Sequence, residues 1–316
     1  MGSKIISGIK KTDSELLFLP LVIIVLGVIS TAINPNFLTA NNMLAILQQV
    51  AVLGILSSAM LMLLVSGMMD LSYGSLIGLC GIALCLFVQG GMNPFLALGL
   101  MFLIAIAGGT LNGIIVTSFN VEPLIITIGT GYIFNGIAFL WSGGTFQSLQ
   151  GELSFIGTGR VGGIPVSIIV LAVVLIATHI VLRKTPFGRR LHIIGGNREV
   201  AFLSGLKPKK YLIITFAIGG LICGLAAFVL TSRIGSALAV SGQGNELRAL
   251  VACIIGGASF KGAKGTVLGT LFGVLLLGVI SNAVNIVGLD PFFQTVVLGV
   301  IIIIAVIASN LKTSKA

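Results

Sequence analysis

Long apolar runs without a single charged residue dominate the chain. The charge-free runs cover residues 16–69, 71–121, 123–151, 161–182, 211–232, 265–289 and 291–311. An apolar stretch of about 18 residues or more without charges is typical of a helix that spans a membrane. The pattern therefore predicts an all-α integral membrane protein.

The two longest runs are each long enough for two spans. We expect a turn in the first at the polar segment 34–42, and a turn in the second at 89–94. Single spans are predicted near 122–141, 165–182, 212–232, 265–283 and 291–310, which gives nine spans in total. The stretch 243–260 is a doubtful tenth, because its charge-free part, 249–260, makes only about 18 Å of helix against a hydrocarbon core of about 30 Å.

The distribution of basic residues favours ten spans. If 243–260 crosses the membrane and the N-terminus is cytoplasmic, 15 of the 18 Lys and Arg residues lie on the cytoplasmic side. If that stretch only re-enters the membrane, 11 lie on that side and seven lie outside. Because cytoplasmic loops carry an excess of Lys and Arg, we expect about ten transmembrane helices with both termini in the cytoplasm. Residues 1–15 then form a cytoplasmic N-terminal segment.

A weak internal repeat accompanies this topology. The segment Gly109–Gly113 (GTLNG) in the fourth span resembles Gly269–Gly273 (GTLFG) in the ninth span. Glu122-Pro123 and Asp290-Pro291 begin the spans that follow. Partners five spans apart run in opposite directions, so the match predicts an inverted 5+5 repeat, which is common in transporters. Each Gly-x-x-x-Gly pair also predicts a flat helix face for close packing.

Composition narrows the class of partner. Only 8% of the residues are charged and 56% are hydrophobic, which excludes a water-soluble globule. The net charge of +10 would suggest nucleic-acid binding in a soluble protein. Here it reflects cytoplasmic loops and contact with anionic membrane lipid, so we expect no nucleic-acid partner.

The sequence lacks the common catalytic and cofactor motifs. The glycine-rich segment 256–265 does not have the spacing of a phosphate-binding loop, and His179 and His192 have no nearby carboxylate and second ligand at metal spacing. We therefore expect no metal, no bound cofactor and no enzymatic activity. The Asp and Glu residues fall at predicted span boundaries or in loops, whereas proton- or sodium-coupled carriers usually have ionisable groups inside the membrane. The energy source is expected to lie in another chain.

The most charged segment, 183–211, is a predicted cytoplasmic loop. Asn197 suits a helix N-cap, Glu199 suits the first turn, and Gly205 suits the end of a helix, so a short surface helix is predicted. A solvated connecting loop is the alternative. The spacing of Glu199, Ala201 and Gly205 resembles the loop by which permease subunits of bacterial ATP-binding-cassette (ABC) importers contact their ATPases.

Further segments resemble the ribose-type sugar permeases of this superfamily, over essentially the whole chain. The segments are Asn34–Phe37, Ser66–Ser75, Gly195–Gly205, Gly244–Leu247 and Gly256-Gly257. The resemblance implies a single permease domain over 1–316 in the bacterial cytoplasmic (inner) membrane. It also implies a second copy or a similar permease, an external sugar-binding protein, and a separate cytoplasmic ATPase that hydrolyses ATP.

Three departures from the ribose-type pattern leave the identity of the sugar open. Tyr73 stands where the pattern has valine, and Arg248 where it has aspartate. Val200 stands where the docking motif often has alanine, which is a mild change in an apolar contact. A homodimer and a pair with a second permease also stay open.

Candidate site residues fall into three groups. The resemblance assigns ATPase docking to Gly195, Gly196, Asn197, Glu199, Ala201, Ser204 and Gly205. A sugar path needs neutral hydrogen-bonding groups, and the candidates, each of which could instead bond one helix to another, are Gln48, Gln49, Asn112, Thr127, Asn135, Asn282 and Asn285. Candidates for helix capping or gating are Asp70, Ser72, Glu246 and Arg248.

The expected function is that of a permease subunit that forms the path for a ribose-like or related monosaccharide. A secondary carrier for a small polar solute is the alternative. The inverted repeat supports a carrier, and the positions of the acidic residues weigh against it.

Overall fold

The computed structural model describes residues 19–288 and the positions 293, 295, 296, 299, 300 and 303. The helices are α1 (Leu19–Ile33), α2 (Ala40–Val65), α3 (Tyr73–Gln89), α4 (Pro94–Phe119), α5 (Pro123–Ser142), α6 (Phe155–Thr158), α7 (Val166–Lys184), α8 (Pro186–Gly196), α9 (Arg198–Leu203), α10 (Pro208–Ile234), α11 (Asn245–Ile255) and α12 (Val267–Val287). A 3-10 helix, Pro35–Leu38, precedes α2.

Short strands connect loops at one end of the molecule. They are β1 (Gln147–Ser148), β2 (Arg160–Val161), β3 (Ile164–Pro165) and β4 (Ser236–Ala237). The pairs β1–β4 and β2–β3 are antiparallel, and Gln147 lies opposite Ala237 in the first. The pair β1–β4 joins the loop after α5 to the chain that follows α10.

Eight apolar helices within 19–288 correspond to predicted spans, and the short helix α11 lies in the doubtful stretch 243–260. Six of them, α2, α4, α5, α7, α10 and α12, are long and apolar enough to cross a membrane, and α1 and α3 are shorter apolar helices. The chain is therefore an all-helical protein with the helices of an integral membrane protein. The last predicted span, 291–310, lies outside the continuously described residues.

The core forms around α2 and α10. In the most apolar stretch of α2, 83% of the residues are buried, against 28% in α4 and in α5. Helix α2 packs against α7, α10, α11 and α12, and α10 packs against α3 and α4 as well. A helix that is apolar on all sides is either buried in protein or in contact with lipid. Helix α2 is buried in the core, whereas α4 and α5 lie at the periphery.

Both Gly-x-x-x-Gly pairs lie at close helix contacts, as their spacing predicted. A Cβ atom at Gly109 would overlap the backbone of Phe216 and Gly220 in α10, and one at Gly273 would overlap Ala252 in α11. The pairs therefore let α4 approach α10 and α12 approach α11 without intervening side chains.

The same segments do not occupy equivalent helix positions, which corrects the basis of the predicted repeat. Gly109–Gly113 lies near the end of α4, whereas Gly269–Gly273 lies near the start of α12. Equivalent helices of an inverted repeat match start to start. The two motifs thus reflect a shared packing need, and the Asp290-Pro291 echo falls outside the described residues.

The stretch 243–260 contains a short helix, and a partly buried non-helical segment leads into it. Helix α11 has 11 residues, which make about 16 Å. Residues 235–244 pass in order beside Gly81, Gly78 and Gly74 of α3, where the missing side chains leave room for backbone. The segment that leads into α11 therefore packs along one side of α3.

Candidate functional site

The predicted surface helix is present as α9. The Asn197 side chain accepts a hydrogen bond from Val200 N at 3.0 Å, and Gly205 follows the helix with φ +82°. The Ser204 hydroxyl donates to Val200 O at 2.8 Å. The N-cap and the glycine at the helix end are confirmed as local structure.

A second helix, α8, lies immediately before α9, in a part of the chain that the sequence predicts to be loop. Pro186 occupies its first turn, and the Thr185 hydroxyl caps it by accepting from Gly188 N at 3.2 Å. The Thr-Pro pair is the signal that could have predicted this helix, because proline at the first helical position after a threonine cap is a common helix start. The segment after α7 is thus a pair of helices.

Helix α9 presents an exposed apolar face. Val200, Phe202 and Leu203 are 54%, 67% and 77% exposed, while Ala201 is buried. Glu199 is exposed in the first turn. Three large apolar side chains exposed on six residues are typical of a helix that docks into a partner groove.

The end of α8 rests directly on the end of α2. A Cβ atom at Gly195 would overlap the Val65 carbonyl, so a residue with a side chain does not fit there without movement. Ala263 N donates to the same carbonyl at 2.9 Å. The Arg198 guanidinium donates to Met68 Sδ at 3.2 Å, which joins α9 to the connection after α2.

That connection leads into a buried polar cluster around Asp70. The Asp70 carboxylate accepts from Ser72 N at 2.8 Å and from the Ser72 hydroxyl at 2.6 Å, and its second oxygen accepts from Asn112 Nδ2 at 2.9 Å. Leu71 N donates to the Thr127 hydroxyl at 3.1 Å. The cluster fixes the α2–α3 connection to α4 and α5.

Asp70 lies at a boundary between two predicted spans, as expected, but the sequence did not predict the burial of its side chain. Asp70 is in a connection between helices, yet its side chain is fully buried. Burial raises the pKa of this carboxyl group, and the hydrogen bonds from Ser72 and Asn112 oppose the rise. Ser72 donates to Asp70 and does not cap α3 with its side chain, so only Asp70 acts as the expected acceptor of a backbone N–H.

Glu246 and Arg248 lie on different sides of α11. Glu246 Oε1 accepts from Gly244 N at 3.1 Å, which satisfies an amide at the helix start, and its side chain packs beside Gly74 of α3. Arg248 lines a cavity on the other side. Residues two positions apart do not share a helix face, and the two side chains are not hydrogen-bonded to each other in the described chain.

The cavity has a volume of about 190 Å³ and lies between α2, α10, α11 and α12. Its polar lining consists of Gln49, Arg233, Asn245, Arg248 and Ser281, and the remaining lining is mostly aliphatic. Only Gln49 of the seven path candidates contributes to it. The side-chain amide of the neighbouring residue, Gln48, donates to Gly157 O at 3.2 Å. The backbone carbonyl of Gln48 accepts from the Arg233 guanidinium at 3.0 Å.

The remaining path candidates are distributed over other contacts. Asn112 and Thr127 belong to the Asp70 cluster. Asn135 donates to Ala239 O at 3.1 Å, and Asn282 exchanges hydrogen bonds with Asn42 at 2.9 and 3.0 Å. Asn285 is exposed near the end of α12. The described structure therefore gathers no single site from all seven.

Comparison with known proteins identifies the family. Residues 42–306 match the family described as "Branched-chain amino acid transport system / permease component". The chain belongs to this permease family. Membership makes it a transport component rather than an enzyme.

Relatives of this permease cover nearly the whole chain. The ribose import permease of Bacillus subtilis is 35% identical over 300 residues, which are 94% of this chain and 92% of the relative. The D-allose transport system permease of Escherichia coli is 33% identical over 92% of this chain and 90% of its own length, and the L-arabinose transport system permease of the same organism is 32% identical over 88% and 85%. No solved structure matches the chain.

Three polar residues of the permease cavity were absent from the sequence candidates. Arg233 ends a long apolar helix, Asn245 begins α11, and Ser281 lies in α12. A charged residue at the end of an apolar run usually lies at the membrane–water interface, so the position of Arg233 in the sequence does not indicate a binding site. The cavity joins residues from four helices far apart in sequence.

Proposed function

We propose that the chain is the transmembrane permease subunit of an ABC importer for a monosaccharide. It lies in the bacterial cytoplasmic membrane, an external binding protein delivers the sugar, and a separate ATPase provides the energy. The names of the relatives support import of a monosaccharide. The observation that carries the ATPase partnership is the exposed apolar face of the capped helix α9.

The proposed topology has ten spans, both termini in the cytoplasm, and one permease domain over 1–316. Lys261 and Lys264 flank Ala263, which bonds to Val65 beside Gly195, so these lysines lie at the same end of the molecule as α8 and α9. This proximity supports a crossing between α10 and the 256–266 loop, because it brings the basic segments together on one side.

A 5+5 inverted repeat is also part of the proposal, on a different basis from the glycine motifs. Helices α3 and α11 are the third and eighth spans of the proposed topology, and each is short and follows a non-helical segment. Interrupted spans at corresponding positions of the two halves are typical of inverted-repeat transporters.

Docking is proposed for Gly195, Gly196, Asn197, Glu199, Ala201, Ser204 and Gly205, with α9 entering a groove of the ATPase. Val200, Phe202 and Leu203 supply the apolar contact. Glycine at 195 keeps α8 on the end of α2, and Ala201 anchors α9 by its buried side.

Force on α9 has a contiguous route into the bundle. Arg198 contacts Met68, two residues before Asp70, and Asp70 bonds Asn112 of α4. Thr127 joins the same connection to α5. Displacement of α9 would therefore shift helices as rigid bodies, which is the motion that alternating access requires. Gln49 and the cavity belong to the proposed sugar path.

Purification of the tagged chain from its native membrane in a mild detergent, with mass spectrometry of the proteins that accompany it, tests the proposal. We expect a stoichiometric ATPase with the native chain and its loss with Phe202→Glu. Phe146→Glu is the matched control, because Phe146 is 66% exposed in the loop after α5, outside α9.

Retention of the ATPase by Phe202→Glu would contradict the docking role. Recovery of the chain alone after crosslinking, together with uptake that collapses with the proton gradient, would instead favour the secondary carrier. A second permease in the same preparation would show a heterodimer.

A further inference from the structure

We infer that the cavity between α2, α10, α11 and α12 binds an oxyanion of the transported solute, so that the solute is a monosaccharide carrying a carboxylate or phosphate group. This inference deepens the proposed function and rests on it. It assigns a substrate class and a binding role to Arg233 and Arg248, neither of which is needed for ATPase docking.

Two guanidinium groups define the charge of the cavity. Arg233 is oriented by its hydrogen bond to Gln48 O at 3.0 Å, which uses one nitrogen and leaves other N–H donors of the group. The Arg248 side chain lines the same cavity, and its guanidinium donates no hydrogen bond within the part of the chain that the structure describes. Arginine binds carboxylate and phosphate through paired N–H donors, so unused donors in this cavity favour an oxyanion ligand.

The start of α11 also lies at the cavity. Asn245 is the first residue of this 11-residue helix and lines the cavity. Asn245 N donates to Gly242 O, and Glu246 Oε1 accepts from Gly244 N, so these amides are paired. The two arginines therefore supply the positive charge of the cavity.

No carboxylate among the described residues lines the cavity to neutralise this charge. The nearest acidic side chain along the sequence, Glu246, points to α3 and accepts from Gly244 N. Glu246 Oε1 is therefore engaged outside the cavity, although the carboxylate attracts Arg248 electrostatically. Because Glu246 does not line the cavity, an incoming anion would meet the guanidinium groups directly.

The neutral groups and the size of the cavity fit the sugar part of the ligand. Gln49 and Ser281 provide an amide and a hydroxyl that can both donate to and accept from sugar hydroxyls. The volume of about 190 Å³ is below the range of about 300–1,000 Å³ that is common for drug-sized ligands, which favours a small solute.

Ligand-dependent thermal unfolding of the purified permease in detergent tests the inference. The probes are D-glucuronate, ribose 5-phosphate and ribose at equal millimolar concentrations and constant ionic strength. We expect a rise in the unfolding temperature with glucuronate or with ribose 5-phosphate, which distinguishes a carboxylate from a phosphate, and a smaller rise with ribose.

Arg248→Gln is expected to weaken binding of the acidic sugar about tenfold or more, because it leaves the anion with one guanidinium fewer. Arg248→Lys should restore part of the affinity, which separates charge from a change of fold. Arg160→Gln removes the same charge from an exposed position in β2 and should leave binding unchanged.

Equal stabilisation by ribose and the acidic sugars, unchanged binding in Arg248→Gln, or no shift with either acidic sugar would each overturn the inference. Co-purification of the ATPase is measured separately. If the ATPase co-purifies while the acidic sugars fail, the proposed function stands and the inference falls. If the acidic sugars bind while no ATPase co-purifies with the chain, the proposed function falls.

Discussion

Asn112 of α4 donates a hydrogen bond to the Asp70 carboxylate at 2.9 Å, across 42 positions of sequence. Both side chains are fully buried. We expect Asp70→Ala to destabilise the permease, because Ser72 and Asn112 lose their acceptor and an unsatisfied buried donor costs about 1–3 kcal/mol. Thermal unfolding in detergent measures the loss. Asp70→Asn keeps one acceptor oxygen, so its unfolding temperature should lie between those of the native chain and Asp70→Ala. Glu152→Ala, at an exposed position, should unfold at the same temperature as the native chain.

Close packing of α4 on α10 predicts a strong effect of a side chain at Gly109. Gly109→Leu should destabilise by about 1–3 kcal/mol, because the leucine would overlap the backbone of Phe216 and Gly220. Gly99→Leu is the matched control on the same helix, since a Cβ atom there meets nothing within 4 Å. The packing interpretation is wrong if both variants unfold at the same temperature.

The Asn197 cap predicts a local effect on α9. Asn197→Ala removes the acceptor of Val200 N, and loss of such a cap costs about 0.5–2 kcal/mol. Amide hydrogen exchange in α9 should accelerate while exchange in α2 stays unchanged. Asn197→Asp keeps an acceptor and should restore protection. Equal exchange in the alanine variant and the native chain would show that packing alone holds α9.

The ten-span topology predicts opposite labelling of two introduced cysteines. All four native cysteines are buried, so they give little background. A membrane-impermeant maleimide should label Ser154→Cys in intact cells and Lys261→Cys only after the membrane is opened. Both positions are exposed. Labelling of Lys261→Cys in intact cells would mean that the chain before it only re-enters the membrane.

Sequence periodicity was sufficient for the long helices and insufficient for contacts between them. Charge-free runs located eight apolar helices within 19–288, because burial in lipid or in a protein core excludes charge in the same way. The burial of Asp70 could not be predicted, since its acceptor role depends on Asn112 from another helix. The cavity escaped prediction for the same reason, because Arg233, Arg248 and Gln49 meet only after three helices have packed.

Local signals predicted α9 but missed α8 and misplaced the repeat. Asn197 and Gly205 act within one turn of the chain, so their capping roles follow from sequence alone. The match between Gly109–Gly113 and Gly269–Gly273 arose because two unrelated contacts both need small residues. Motif similarity between glycine-rich helices is therefore weak support for symmetry unless the motifs occupy matching positions.

The contact of Gly195 with the Val65 carbonyl has a mechanical consequence. Side chains between two helices absorb small displacements by changing rotamer, whereas backbone against backbone has no such compliance. A displacement of α9 would therefore be transmitted to the end of α2 through a rigid backbone contact and would be only slightly reduced. A larger residue at 195 would move α8 away and place a softer joint between the surface helix and the core.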